Sequence, residues 1–289
     1  MTDSGGIMQF RVLGPLVVGS GPSTGHLTAA KPRKVLAVLL LNANRVVPVD
    51  TLGLELWGDD PPASAQTTLQ TYVLQIRRML SCALGLGCAE VAHDLLLTAS
   101  DGYSLQVPPE SLDLHRYERM AAEGRRAIAD GDDPRGSELL SRALDIWQGA
   151  ALVDVRLGQV LKAETCRLEE DRLATWQQRI DAALRQDHHE AVLGDLSSLT
   201  ARYPLHEELQ ARYMVALYRA GRRTDALEAF QRLRCTLSHD LGLEPSQRIQ
   251  HIQHAILTAD PALDPPTAAG QPFQLAGTGR PLYRQPDPS

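Results

Sequence analysis

From Leu112 onward the sequence shows helical periodicity alone, and no other feature limits the fold as much. Apolar residues recur at three- and four-residue spacings in seven segments that short polar turns separate. Two of these turns, at Glu190 and at Asp225, are 35 residues apart, close to the tetratricopeptide repeat of about 34 residues. Helix pairs of this kind bury their apolar faces only by stacking. We therefore predict a tetratricopeptide-like α-helical repeat domain over residues 111–260.

The first 110 residues have a different pattern. Alternating apolar residues at 8–12 predict a strand, a second strand follows at 16–18, and 19–25 is expected to be a turn. Three helical segments come next, the first opening at Thr28, and Asp101-Gly102 indicates a hairpin. Strands, three helices and a hairpin in this order are typical of a winged helix-turn-helix with a small β-sheet and a wing hairpin. The fold class is therefore mainly α.

The third helical segment, predicted from residue 65 to 80, has two contrasting faces. At 100° per residue its large apolar residues fall on one stripe. The opposite face contains hydroxyls, amides, one leucine and arginine, and no acidic residue occurs from Pro61 to Leu80. An ordinary solvated helix face usually mixes both charge signs. An ordinary solvated face nevertheless remains the alternative to a surface that contacts a polyanion.

These side-chain types are suited to DNA. In the major groove, arginine pairs with guanine, glutamine pairs with adenine, and methyl groups contact thymine. Lysine and arginine at the start of the first helix are placed to meet phosphates, and the hairpin is placed to lie along the backbone. The candidate DNA-binding residues are Lys31, Arg33, Lys34, Ser64, Thr67, Thr68, Thr71, Leu74, Gln75, Arg77, Arg78 and Ser100.

Charge is concentrated locally. The chain has a net charge of -6, whereas residues 25–85 contain six basic and four acidic residues. We expect modest non-specific affinity for DNA and strong salt dependence. No apolar run reaches the length of about 20 residues that spans a membrane, and no secretory signal is visible. A cytoplasmic, nucleoid-associated protein is expected.

The sequence gives little indication of metal binding or catalysis. Cys82 and Cys88 are expected in a loop without metal-ligand spacing, and His251 and His254 lack a nearby third ligand. The sequence has no nucleophile-elbow motif and no P-loop motif. We expect neither an enzyme nor a metal or cofactor site. The Pro-, Gly- and Ala-rich residues 261–289 predict a disordered tail.

Several long stretches resemble the Streptomyces antibiotic regulatory protein family. They are "LTAAKPRKVLAVLLLNANRVVPVDTLGLELWGDDPPASAQTTLQTYVLQIRRML", "DGYSL", "RLEEDRLATWQQRIDAAL" and "YPLHEELQARYMVALYRAGRRTDALEAFQRLRCTLSHDLGLEPS". The resemblance covers roughly residues 8–258. It implies an OmpR-type winged helix over residues 1–110, of the kind that serves as a two-component output domain, and a bacterial transcriptional activation domain over 111–260.

The resemblance also implies a function and its partners. Members activate secondary-metabolite gene clusters, bind direct repeats near the -35 element and engage RNA polymerase. By position, the family's recognition helix falls on "SAQTTLQTYVLQIRRML", its phosphate-contacting segment on "KPRK" and its wing on "TASDGYSL". Direct repeats imply a side-by-side homodimer on double-stranded DNA, and we expect contact with the sigma factor. The segment "SCALGLGCAEVAHD" departs from the family pattern and leaves the register of the wing open.

Two other functions remain open at this point. In one, the chain is a helical-repeat sensor or scaffold whose winged helix contacts proteins. In the other, the helical array holds a metabolite in a concave pocket, although no residue set for a particular ligand is evident.

Overall fold

The computed structural model describes residues 8–20, 23–25 and 27–264. It divides into two compact units, one containing residues up to 129 together with 138–176, and the other containing 130–137 together with residues from 177 onward. The mainly helical fold class with small N-terminal sheets and a helical-repeat region is confirmed. The boundary that the sequence predicts at residue 110 falls inside the first unit.

The first unit begins with an antiparallel sheet in the order β1-β2-β3. Its strands are β1 (Met8–Arg11), β2 (Val17–Ser20) and β3 (Ser23–Gly25), and Phe10 pairs with Val18. The expected turn at 19–25 is therefore wrong, because this stretch completes β2 and adds a third strand.

Three helices follow, α1 (Ala30–Leu41), α2 (Val49–Trp57) and α3 (Ala65–Leu84). The short strand β4 (Val46–Pro48) lies between α1 and α2. α1 begins two residues after the predicted start. Because its central residues from 35 to 40 are apolar on every side and almost fully buried, α1 forms the centre of the core.

α3 is longer than the sequence pattern predicted. Gly85 has a φ of +69°, a left-handed conformation that terminates helices at low cost. α3 therefore ends at Leu84, so residues 81–84 are helical. The rest of the expected loop contains a short helix α4 (Cys88–Glu90) and a π-helical segment at Val91–Leu95. The wing strands β5 (Leu96–Thr98) and β6 (Gly102–Leu105) complete a second antiparallel sheet in the order β4-β6-β5.

The sequence after the wing continues in the same unit. A 3-10 turn (Pro109–Ser111) leads into α5 (Asp113–Ala129). The buried Asp113 carboxylate accepts hydrogen bonds of 2.8 to 3.0 Å from the backbone N–H groups of Val12, Leu13 and Leu114. Burial raises the pKa of the Asp113 carboxyl, and these N–H groups oppose the shift. Asp113 thereby joins the end of β1 to the start of α5.

The Glu55 carboxylate makes a second long-range connection. Its side chain is fully buried, and it accepts hydrogen bonds from Gly158 N at 2.5 Å and Leu161 N at 2.9 Å. Gly158 immediately precedes α7 (Gln159–Arg185) and Leu161 lies in its first turn, where N–H groups have no partner within the helix. The Lys34 ammonium lies 3.5 Å from the same carboxylate. Glu55 therefore caps α7 and is neutralised by α1.

The second unit contains stacked helices, as the repeat pattern predicts. Beyond the C-terminal part of α7, they are α8 (His189–Arg202), α9 (Glu207–Arg219), α10 (Arg223–Leu241) and α11 (Gln247–Thr258). With α5 and α6 (Asp133–Leu144), all seven predicted helices are present.

Buried charge links helices of this second unit. Arg212 of α9 is 5% exposed and donates to both carboxylate oxygens of Asp181 at 2.7 and 2.8 Å, and to Glu208 at 3.1 Å. Arg248 of α11 also pairs with Glu208.

The last described residues are packed against this unit. Pro261–Leu263 forms a 3-10 turn, Leu263 is buried, and Arg219 donates to the carbonyl oxygen of Leu263 at 2.7 Å. The predicted disordered tail therefore cannot begin at residue 261. Its remaining part, 265–289, lies outside the described residues.

We predict that Glu55→Gln lowers the free energy of unfolding by about 3 kcal/mol, because an amide leaves the Lys34 ammonium without a counter-charge and presents N–H groups to the N–H groups at the start of α7. Urea denaturation of the intact chain measures the change. Asp59→Asn removes an exposed carboxylate just beyond α2 and serves as the control, with a change within about 0.5 kcal/mol. Equal effects of the two substitutions would contradict the capping role.

Candidate nucleic-acid interface

The exposed face of α3 contains most of the side chains that the sequence predicts to contact DNA. Ala65 to Leu84 includes no acidic residue, so the only charges on the helix are those of Arg77 and Arg78. Leu74 is 47% exposed although it gains little from water contact. Thr68 is half-buried. The exposed predicted residues are Ser64, Thr67, Thr71, Leu74, Gln75 and Arg78.

The opposite face of α3 packs into the core, as the helical periodicity predicts. Leu69, Val73, Ile76 and Leu80 are at most 2% exposed. Gln66 is exposed in the first turn beside the predicted set. At 100° per residue it projects near the margin between the two faces, and the sequence prediction does not include it.

The hairpin has a defined register, which the sequence left open. Leu96 pairs with Leu105 and Thr98 with Tyr103, and Ser100 is exposed at the tip. The glycine in Asp101-Gly102 is required by close packing, since a β-carbon at Gly102 would lie 2.0 Å from the carbonyl oxygen of Val47 in β4.

Arg77 and Arg78 are neighbours in sequence and differ in structure. The Arg77 guanidinium donates to the carbonyl oxygen of Leu96, with Nε at 3.1 Å and Nη2 at 2.7 Å, and to Thr98 Oγ1 at 2.9 Å. Arg78 is exposed and forms no hydrogen bond or ion pair within the part of the chain that the structure describes. Arg77 therefore connects α3 to the wing, whereas Arg78 is available to a ligand.

The basic residues of α1 also divide into paired and available side chains. Arg33 forms an ion pair with Asp154, and Lys34 pairs with the buried Glu55. Both side chains therefore have partners within the fold, and a phosphate contact by either would compete with its ion pair. Lys31 is exposed, with Nζ 5.5 Å from the centroid of the Trp57 ring.

Among the described residues, no group of three or more His, Cys, Asp or Glu side chains is arranged to hold a metal ion. Cys82 and Cys88 are exposed free thiols, and Cys82 lies in the last turn of α3 instead of the expected loop. No helix in the described ranges has the length and apolar character needed to traverse a bilayer.

Comparisons with known proteins agree with this geometry. Residues 112–257 match the bacterial transcriptional activator domain, and residues 25–85, which include α1, α2 and α3, match the C-terminal domain of transcriptional regulatory proteins. The fold and the matches define a transcriptional regulator with an OmpR-type DNA-binding domain, not an enzyme.

Individual relatives show which family of transcriptional regulators the chain resembles. The chain is 49% identical to the regulatory protein DnrI of Streptomyces peucetius over 89% of its own length and 94% of that protein. It is 33% identical to the transcriptional regulator RedD of Streptomyces coelicolor, over 95% of its own length and 77% of RedD. The chain belongs to the Streptomyces antibiotic regulatory protein family.

A solved structure supports the fold. Mycobacterium tuberculosis EmbR, in complex with a low-affinity phosphopeptide, superposes with a TM-score of 0.78 at 32% identity. The match covers 88% of this chain and 66% of the EmbR chain.

We predict that the same substitution on opposite faces of α3 separates stability from binding. Ile76→Asp places an unpaired carboxylate in the core and costs about 4 kcal/mol or more, so thermal unfolding shifts strongly. Leu74→Asp leaves the melting temperature nearly unchanged and weakens DNA binding. If Leu74→Asp melted at a lower temperature than Ile76→Asp, the assignment of the buried and exposed faces of α3 would be wrong.

Proposed function

We propose that this protein activates transcription by placing α3 in the major groove of promoter DNA. The observation that supports this most directly is the exposed face of α3, where hydroxyls, amides, Leu74 and the unpaired Arg78 occur without a carboxylate. A carboxylate there would be repelled by phosphate, whereas guanidinium and amide groups form paired hydrogen bonds with base edges.

The surrounding elements supply positioning contacts in this proposal. Lys31 contacts a phosphate from the start of α1, and Ser100 at the wing tip lies along the backbone. Residues 1–110 are the DNA-binding domain and residues 111–260 the activation domain. Because Asp113 and the first turn of α7 hold parts of the winged helix, the experiments below use the intact chain.

The family membership supports the rest of the proposal. We infer that the targets are promoters of a secondary-metabolite gene cluster, that two protomers bind direct repeats side by side near the -35 element, and that the bound pair engages RNA polymerase, including its sigma factor. The protein then acts in the cytoplasm, at the nucleoid. The alternative, a scaffold whose winged helix contacts proteins, becomes the better account if no DNA sequence is enriched by the intact protein from a random library.

We predict that Arg78→Ala weakens binding to the enriched DNA by about 1 to 3 kcal/mol and affects random DNA little, because the guanidinium contacts a base. Fluorescence anisotropy over a range of salt concentrations provides the measurement. Lys31→Ala is the matched comparison. As a phosphate contact it should weaken both DNAs alike and flatten the log-log salt slope by about one unit. Unchanged affinities in Arg78→Ala, or a Lys31→Ala loss confined to one DNA, would overturn these roles.

We also predict that spacing between the direct repeats governs cooperativity. Two protomers facing the same way lie side by side when repeat centres are about 10 to 10.5 bp apart, and inserting about 5 bp moves them to opposite faces of the duplex. Cooperative binding and transcription in a reconstituted reaction should then both fall, and inserting a full turn serves as the control. If both survive the half-turn insertion, the two copies act independently.

A further inference from the structure

Arg77 occupies the position where α3 meets the edge of the wing sheet. Its guanidinium is half-buried, and the three hydrogen bonds described above all reach β5, 19 and 21 residues further along the chain. Guanidinium presents several N–H donors in a fixed plane, so this contact fixes direction as well as distance.

The acceptor on β5 belongs to the edge of its sheet. Among the described strands, β5 pairs only with β6, and the carbonyl oxygen of Leu95, the residue before β5, accepts from Gln106 N on that side at 2.7 Å. Successive carbonyls along a strand point in opposite directions, so the carbonyl of Leu96 is directed away from β6. Arg77 therefore donates to the Leu96 carbonyl oxygen on the edge of β5 that does not pair with β6.

We propose that Arg77 is a positioning residue that fixes the wing relative to α3 and does not itself contact DNA. This inference rests on the proposed DNA-binding function and deepens it. With Arg77 in place, the exposed face of α3 and the wing tip at Ser100 are held at one separation. The protein then accepts DNA only when the base contacts of α3 and the backbone contacts of the wing occur at that separation.

Substitution of lysine distinguishes positioning from a phosphate contact. Arg77→Lys keeps the positive charge but cannot donate both to Leu96 and to Thr98 in the same geometry. A phosphate contact would survive this change largely intact, whereas the connection to the wing would be lost. Thr98→Val removes one acceptor without altering charge and with little change in shape.

The experiment compares the intact wild type, Arg77→Lys, Arg77→Ala, Thr98→Val and the Arg77→Lys/Thr98→Val double variant on the enriched DNA. We expect Arg77→Lys to lower affinity about tenfold. Hydroxyl-radical protection on the wing side should be lost, while dimethyl sulfate protection of guanines facing α3 persists. The double variant should lose less than the sum of the single losses, because both substitutions break the same contact.

Two results of this DNA-binding experiment would overturn the proposal. One is wild-type affinity and an intact wing footprint in Arg77→Lys. The other is a parallel loss of both protections in Arg77→Ala, with a flatter salt slope and rescue by Arg77→Lys, which would make Arg77 a phosphate contact.

A measurement without DNA separates this inference from the proposed function. Hydrogen exchange of the β5 and β6 amides should quicken in Arg77→Lys and remain unchanged in Arg78→Lys. If the wild type binds no DNA, the proposed function fails and Arg77 cannot position a DNA contact. If it binds DNA but wing exchange is the same in all variants, the positioning role alone is wrong.

Discussion

The buried carboxylate of Glu55 is the interaction on which the first unit depends most. It lies in α2. One of its three partners comes from α1, and the other two lie at the start of α7, more than one hundred residues away. The backbone is equally close, since a β-carbon at Gly158 would lie 2.3 Å from the carbonyl oxygen of Glu55. A fully buried carboxylate is tolerated only when its charge and lone pairs are satisfied. Glu55 therefore connects the winged helix to the start of α7.

The same requirement explains how the basic residues are used. A guanidinium or ammonium close to a buried acceptor gains more from a fixed partner than from water, so Lys34 and Arg77 act within the protein. Arg33 also has a partner within the fold, the more exposed carboxylate of Asp154. Within the described residues, Lys31 and Arg78 have no such acceptor beside them. The candidate interface consequently has few cations, and its selectivity must come largely from hydroxyl, amide and apolar contacts with base edges.

The class of this regulator and the way we propose that it contacts DNA rest on different observations. The relatives assign the class of regulator, and the geometry of α3 and the wing explains how such a regulator is expected to meet DNA. The net negative charge of the chain is compatible with this function because the acidic residues lie outside the exposed face of α3. Binding then depends on local contacts instead of the field of the whole protein.

The sequence by itself determined the helices and their faces. Period 3.6 identified the seven C-terminal helices and the buried stripe of α3, because burial of one face leaves a regular pattern along the chain. It did not reveal β3 and β4, since strands of three residues are too short to show alternation. It also missed the end of α3, which depends on the left-handed conformation at Gly85.

Only the tertiary structure decided which cations remain available. Arg33 meets an aspartate 121 residues away, and Arg77 meets a backbone carbonyl, which leaves no trace in residue identity. A periodic pattern gives the direction in which a side chain leaves its helix but does not give the partner it reaches. For Arg77 and Arg78, adjacent and chemically identical, a rotation of about 100° around α3 decides between a contact within the fold and a contact with a ligand.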